Sequence, residues 1–218
     1  MSLPASRRSG QSPITRNPDE SRQRILDAAT IEFSAKGYAG ARIDQIAKRA
    51  KLNPRMIYHY FGGKQPLYIA VLETGLSELR EAERGFSSDE ESALDALLHL
   101  YDFIHKHFAS HPKLVNLLST ENLNKASFLK RSNLVPTISS PTIDLIDRLL
   151  KRGVADGTVR KGVDPLQLYV SMVALSYFHL SNGHTLSVIF RQDMLGPNWL
   201  KPRAKHTADI LRSYLAPN

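Results

Sequence analysis

The sequence contains no cysteine. That absence excludes disulfides and thiol catalysis, and it removes most structural zinc schemes. No uninterrupted apolar run reaches the roughly 18 residues of a membrane span, and no charged-then-apolar secretion signal opens the chain. The expectation is a soluble, cytoplasmic protein with no membrane partner. Alternating strand patterns are also scarce. Only Gly157–Arg160 could form a short extended piece, and no repeat period emerges. G-x-S-x-G, H-E-x-x-H and paired D/E-x-x-H patterns are missing, so neither an enzyme nor a cofactor is expected.

What is present is helical patterning and an uneven charge. The chain of 218 residues carries a net charge of +8. Residues 1–66 hold 12 Lys/Arg against 5 Asp/Glu, whereas residues 67–218 hold 17 against 16. A basic excess confined to one end gives that end the electrostatic footprint of a polyanion binder and leaves the rest neutral. The length suits one small and one larger domain. The division expected is a basic, disordered tail over 1–20, a small domain over 21–66, and a helical domain over 67–218. Arg7, Arg8 and Arg16 of the tail could touch a minor groove or phosphates, or could simply be solvated.

The most informative stretch is Ala41–Lys64, ARIDQIAKRAKLNPRMIYHYFGGK. Ile43, Ile46, Ala47 and Ala50 fall at i, i+3, i+4 and i+7, which makes one narrow apolar face on a helix from about Arg42 to Ala50. After a turn through Lys51 and Leu52, Asn53-Pro54 is a strong start signal for a second helix, which Gly62-Gly63 ends. Ile57 and Phe61 can anchor that second helix to a core. Asn53, Arg55, Met56, Tyr58, His59 and Tyr60 are then left to face outward or sideways, and such a cluster suits a helix-turn-helix whose second helix enters a DNA groove. Upstream, Ser21–Lys36 reads as a helix with an Ile25, Leu26, Ala29, Phe33 stripe and a stop at Gly37.

The run IDQIAKRAKLNPRMIYHYFGGKQPLY, preceded by RQRILDAATIEFSAKGYAGARI, resembles the DNA-binding unit of the tetracycline-repressor (TetR) family of bacterial transcription regulators. The resemblance spans roughly Ser21 to Leu72. It implies an all-α protein, with a three-helix helix-turn-helix domain followed by a larger helical domain for ligand binding and dimerisation. It further implies a ligand-responsive regulator, more often a repressor, that binds a palindromic operator in double-stranded DNA as a homodimer and is released by a small-molecule effector. On that reading Pro54, Arg55 and Met56 approach base edges, Tyr58, Tyr60 and Lys64 hold phosphates, and His59 and Arg42 assist. Two positions depart from the family pattern. Lys51 stands where glycine is usual, so a left-handed backbone there would be strained, and no hydroxyl residue caps the first short helix at Ala41 or Arg42.

Beyond Lys64 the expected helices are Gln65–Arg84, Glu90–Ala109, Pro112–Leu123, Lys125–Arg131, Pro141–Arg152, Pro165–Ser181, Thr185–Phe190 and Arg203–Leu215. Pro165–Ser181 and Arg203–Leu215 are either the homodimer interface or intramolecular core. The candidate effector pocket comprises Phe103, Leu118, Glu121, Asn122, Tyr177, Phe178, His179, Asn182 and Trp199. Within it, Glu121 could equally cap a helix, and Trp199 could merely shield a loop. His99, Asp102, His105, His107 and His111 lie on one segment, but His105 and His107 diverge by about 200° on a helix, so a hydrated face is expected there and no metal site. The alternatives are a sequence-tolerant or architectural DNA-binding protein and a helical metal-dependent enzyme.

Overall fold

A computed structural model describes residues 17–86, 92–134 and 141–217. Arg7, Arg8 and Arg16, expected in the basic tail, lie outside those residues. The elements are α1 (Pro18–Gly40), α2 (Ile43–Ala50), α3 (Arg55–Phe61), α4 (Lys64–Arg84), α5 (Ala93–Ser110), α6 (Pro112–Leu123), α7 (Pro141–Ala155), α8 (Pro165–Ser181), α9 (Gly183–Phe190) and α10 (Pro197–Leu215), with one 3-10 turn at Leu129–Arg131. No strand forms among the described residues, and Gly157–Arg160 is turn and bend.

Several boundaries differ from the sequence expectation, and three of the differences have clear local reasons. α1 starts at Pro18, inside the span assigned to the tail, because Asn17 Oδ1 accepts the Asp19 N–H and Pro18 takes the first helical position, with Asp19 and Glu20 in the first turn. Lys125–Arg131 is not a continuous helix: Lys125 and Ala126 both adopt φ of 56°, and only the 3-10 turn follows. α10 begins at Pro197 rather than Arg203 and carries Pro202 inside it. Near a helix start, the missing N–H of a proline removes only one bond of the ladder.

Two apolar cores share one long helix. Ile25, Ala29 and Phe33 of α1, Ile46 and Ala47 of α2, and Ile57 of α3 close around Leu67, Tyr68, Val71 and Leu72 of α4. The second core gathers Leu97, Leu100, Tyr101 and Ile104 of α5, Ile146 and Leu149 of α7, Leu168 and Met172 of α8, and Leu211 and Leu215 of α10, and it takes in Leu79 of α4. α4 therefore runs from one core into the other. Further ties cross the same boundary. Leu117 of α6 is buried in the first core, and Phe128 packs 4.3 Å from the Tyr38 ring and 4.9 Å from the Tyr68 ring, centroid to centroid. Near the far end of α4, Arg80 Nη1 donates to Glu83 Oε2 at 2.6 Å and to the Tyr169 hydroxyl of α8 at 2.8 Å.

Short α2 is held at both ends by α1. At its start no side chain of its own caps it, as the lack of a hydroxyl at Ala41 or Arg42 predicts. The buried Glu32 carboxylate of α1 instead lies beside the backbone N–H of Arg42 and is paired with Lys36 at 2.8 Å. At its end, Arg24 of α1 donates from Nη2 to the Ala50 carbonyl at 2.5 Å. A carboxylate at the N-terminus and a guanidinium at the C-terminus both oppose the helix dipole favourably. Lys51 does take the left-handed conformation, φ 54° and ψ 42°, and the Leu52 N–H reaches back to the Ala47 carbonyl at 3.0 Å. That is a Schellman ending with lysine where glycine is unstrained.

Glu32 also makes a pH prediction. The Lys36 hydrogen bond, against the opposing effect of burial, holds its carboxyl below its ordinary value, and the Arg42 N–H adds to this. A depressed folded-state pKa contributes stability that is full above the unfolded value and is lost as pH falls through the folded one. Glu32→Gln should therefore cost about 1 kcal/mol or more at pH 7, and the gap from wild type should close in acid. Urea unfolding at the two pH values measures this, and a gap that persists undiminished in acid would contradict the assignment.

Candidate nucleic-acid interface and regulatory core

α3 is seven residues long and its faces are sharply divided. Ile57 is fully buried, and Met56, Tyr60 and Phe61 are half-buried against the first core. Arg55, Tyr58 and His59 are exposed, with Tyr58 at 58%. The start is set as the Asn-Pro signal requires: Asn53 Oδ1 accepts the Arg55 N–H at 2.9 Å, and Pro54 is already helical at φ −51°. The helix therefore begins pointing Arg55 outward at its first turn.

The C-terminal end is a tight turn into α4. Gly62 has φ 80°, and Gly63 has φ 140° with ψ −170°, a region only glycine occupies readily. A Cβ on Gly63 would lie 3.8 Å from the Tyr58 ring, so Tyr58 stands against this turn. Lys64 is the first residue of α4, whose N-terminus has no side-chain cap. Its ammonium sits 4.9 Å over the Tyr38 ring centroid and 3.4 Å from the Ala39 carbonyl oxygen. Arg42, Lys48, Arg49 and Lys51 are exposed on and beside α2. Of the residues expected to reach DNA, Arg55, Tyr58, His59 and Arg42 thus form an open basic face, Pro54 and Lys64 are half-buried at its edges, and Met56 and Tyr60 turn partly to the core.

None of the nine residues expected to line an effector pocket borders the cavity between α1, α4 and the α5–α6 corner. Glu121 is buried, and its Oε1 accepts the N–H groups of Phe128 at 2.8 Å and Leu129 at 3.0 Å. Of its two readings, capping is the one its geometry serves. Asn122, Phe178 and Asn182 are exposed. Phe103 is half-buried against Phe86, and Leu118 packs on the second core. The Tyr177 hydroxyl bonds Ser119 Oγ at 2.7 Å and donates to the Val115 carbonyl at 3.1 Å, which ties α8 to α6. That cavity measures about 460 Å³ and is lined by residues such as Asp27, Ile31, Thr74, Glu78, His111 and Leu114.

His179 and Trp199 belong to a different arrangement, one that sequence reasoning missed. Tyr101 and His105 on α5, Ser176 and His179 on α8, and Trp199, Arg203 and Thr207 on α10 occupy i, i+4 or i, i+3 positions of three facing helices. The Tyr101 hydroxyl pairs with Thr207 Oγ1. The His105 and His179 rings stack at 5.4 Å with 18° between their planes. Burial first, then His105 and Arg203, pushes His179 down to about 4, and burial lowers His105 as well. Both rings are therefore neutral at pH 7. His105 is thus not on a hydrated face, and neither is His107, which is also buried. Among the described residues no group of three or more His, Asp or Glu is placed to hold a metal ion, and no helix is long and apolar enough to cross a membrane.

Comparison with known proteins bears directly on this architecture. Residues 25–71 match the profile described as bacterial regulatory proteins, tetR family, and residues 94–211 match the tetracyclin repressor-like C-terminal domain. The transcriptional repressor NicS of Pseudomonas putida is 36% identical over 176 residues, which cover 81% of this chain and 83% of that protein. The transcriptional repressor SCO4008 of Streptomyces coelicolor is 38% identical over 108 residues, covering 50% of this chain and 53% of that protein. The crystal structure of a TetR transcriptional regulator from Chloroflexus aurantiacus superposes with a TM-score of 0.66 over 93% of this chain and 99% of that one, at 21% identity, and supports the fold. A helix-turn-helix built on Ile57, a larger helical domain, and these matches over most of the chain make one conclusion: the protein belongs to the TetR family of DNA-binding transcription regulators.

Proposed function

We propose that this regulator acts in the cytoplasm as a repressor, binds a palindromic operator as a homodimer, and is released by a small-molecule effector. The observation that carries the DNA-binding part is the outward face of α3, where Arg55, Tyr58 and His59 are exposed on a domain that holds most of the basic excess. Arg55 is the residue suited to guanine O6/N7, Pro54 and Met56 flank it toward the base edges, and Tyr58 and Lys64 suit phosphates. Lys64 is favoured by its place at an uncapped helix N-terminus. Tyr60, His59 and Arg42 take supporting roles at the rim. Repression, rather than activation, rests on the names of the relatives NicS and SCO4008.

Pairing through α8 and α10 is supported by what those helices leave uncovered. Leu166, Val170, Ala174 and Phe178 follow one another at i+4 along the outer face of α8, all exposed. Ile210 and Tyr214 of α10 are 43% and 44% exposed, and α9 adds Val188, Ile189 and Phe190. Exposed apolar side chains aligned along a helix face in this way are expected to be buried by a partner, and a second copy with two-fold symmetry places two recognition helices for the two halves of a palindrome. An effector that binds one spacing of the readers more tightly than the other would release DNA.

Two sets of variants test this reading. Arg55→Ala should cost about 1–3 kcal/mol in operator binding and relax one position of the preferred site. Lys64→Ala should weaken binding to every sequence and reduce the salt slope by about 1. Selection from random duplexes and salt titration distinguish these outcomes, and an unchanged sequence preference in Arg55→Ala would overturn its assignment. Val170→Glu should turn the dimer into a monomer in sedimentation equilibrium and abolish tight operator binding; a dimer that persists would move the interface elsewhere.

A further inference from the structure

The buried polar cluster between α5, α8 and α10 is a layer of polar side chains inside an otherwise apolar bundle. Tyr101, Ser176, His179 and Thr207 are each no more than 2% exposed, and His105 is 5% exposed. Buried polar groups are normally hydrogen-bonded, and leaving them unpaired is costly. Here His105 Nδ1, both His179 ring nitrogens, Ser176 Oγ, Trp199 Nε1 and Arg203 Nε have no hydrogen-bond partner. The Leu175 carbonyl lies beside the His179 ring and Ser176 lies beside the Tyr101 hydroxyl, but neither approach closes a well-formed bond. Ordinary packing does not account for so many unpaired atoms converging from three helices.

Two of the unpaired atoms, Trp199 Nε1 and Arg203 Nε, can only donate, while Ser176 Oγ and the imidazole nitrogens can donate or accept according to hydroxyl orientation and tautomer. Arg203 brings a positive charge that bears on Tyr101, His105 and His179, yet among the described residues its side chain makes no ion pair. The carboxylate that influences His105 is Asp102, and it is already paired with Lys106 at 2.6 Å. What the cluster lacks is an acceptor with negative charge. A guanidinium whose Nε–H is unpaired can combine it with the adjacent Nη in a side-on fork that matches a carboxylate. Met172, Leu175 and Leu180 of α8 belong to the apolar core around the cluster and suit an organic body better than a hydrated inorganic ion.

We propose that this cluster is the effector site and that it takes a small organic carboxylate, held by Arg203, with Ser176, His179 and Trp199 donating to it. The assignment deepens the ligand-release reading above and rests on it for its consequence, though not for its chemistry. Binding between α8 and α10 would act on the two helices that carry the exposed apolar faces, and so on the spacing of the readers.

Trp199 is the single tryptophan of the chain and lies one helical turn before Arg203 on α10, so its emission reports on the surroundings of Arg203. The experiment titrates the full-length protein with acetate, butyrate, octanoate and benzoate, and in parallel with their uncharged amides. At least one acid should change Trp199 emission saturably while its amide binds at least tenfold more weakly, and Arg203→Gln should weaken that acid by tenfold or more. The proposal is overturned if no acid in the series saturates the signal, if acid and amide bind alike, or if Arg203→Gln leaves the acid's affinity unchanged in a protein whose circular dichroism matches wild type. Adding the bound acid to protein already on DNA separates the two claims. Binding without release from DNA would uphold the carboxylate site and remove the effector reading.

Discussion

A recognition helix of seven residues cannot hold its own shape or position in water, because an isolated helix that short does not overcome its nucleation cost. Everything else in the N-terminal domain answers that constraint. Ile57 is the plug that fixes α3 in the core, Asn53 sets where the helix starts, and the Gly62-Gly63 turn sets where it stops and how α4 departs. α2, only eight residues long, is held in turn by Glu32 and Arg24 of α1 at its two ends. The face that presents Arg55, Tyr58 and His59 therefore inherits its orientation from α1 and α4, not from α3 itself.

Those same two helices are the ones the regulatory domain grips. α4 carries Tyr68 in the first core and Leu79 in the second. Phe128 wedges against Tyr38 and Tyr68 from a turn that Glu121 of α6 holds by two backbone N–H groups, while Tyr169 of α8 holds Arg80 of α4. α6 and α8 are thus joined to the helix-turn-helix domain through packed rings and the Arg80–Glu83–Tyr169 network. The Lys64 ammonium rests on the Tyr38 ring of that same cluster, so a candidate phosphate contact and the domain junction share a side chain.

The helix-turn-helix was legible in the sequence because its signals are local. An apolar face at i, i+3, i+4 and i+7, Asn-Pro at a helix start and Gly-Gly at a stop each act within a few residues, and together they matched a family pattern at fixed spacings. The start of α1 was missed although Asn17-Pro18-Asp19-Glu20 carries the same kind of signal, because a Ser- and Pro-rich tail runs into it. At Lys51 the family pattern raises a left-handed backbone only as a condition, and the structure supplies it. What could not be read was convergence. Glu32 reaching the Arg42 N–H, Glu121 folding back onto Phe128 and Leu129, and Arg203 joining two histidines from other helices are contacts between segments far apart in the chain, and periodicity is silent about them. Taken on its own helix His105 belongs to a hydrated face, and its burial comes from the His179 ring on α8 and the neighbouring α10. Its i−4 neighbour Tyr101, buried with it, was the available hint.

The central claim is that two readers, held at a set spacing, recognise a two-fold symmetric site. Selection of random duplex DNA by the purified protein at near-physiological salt, followed by sequencing of the retained pool, tests it most directly. The account predicts a palindromic consensus whose half-sites lie about one helical turn or more apart. Featureless enrichment, or a single unpaired half-site, would contradict it.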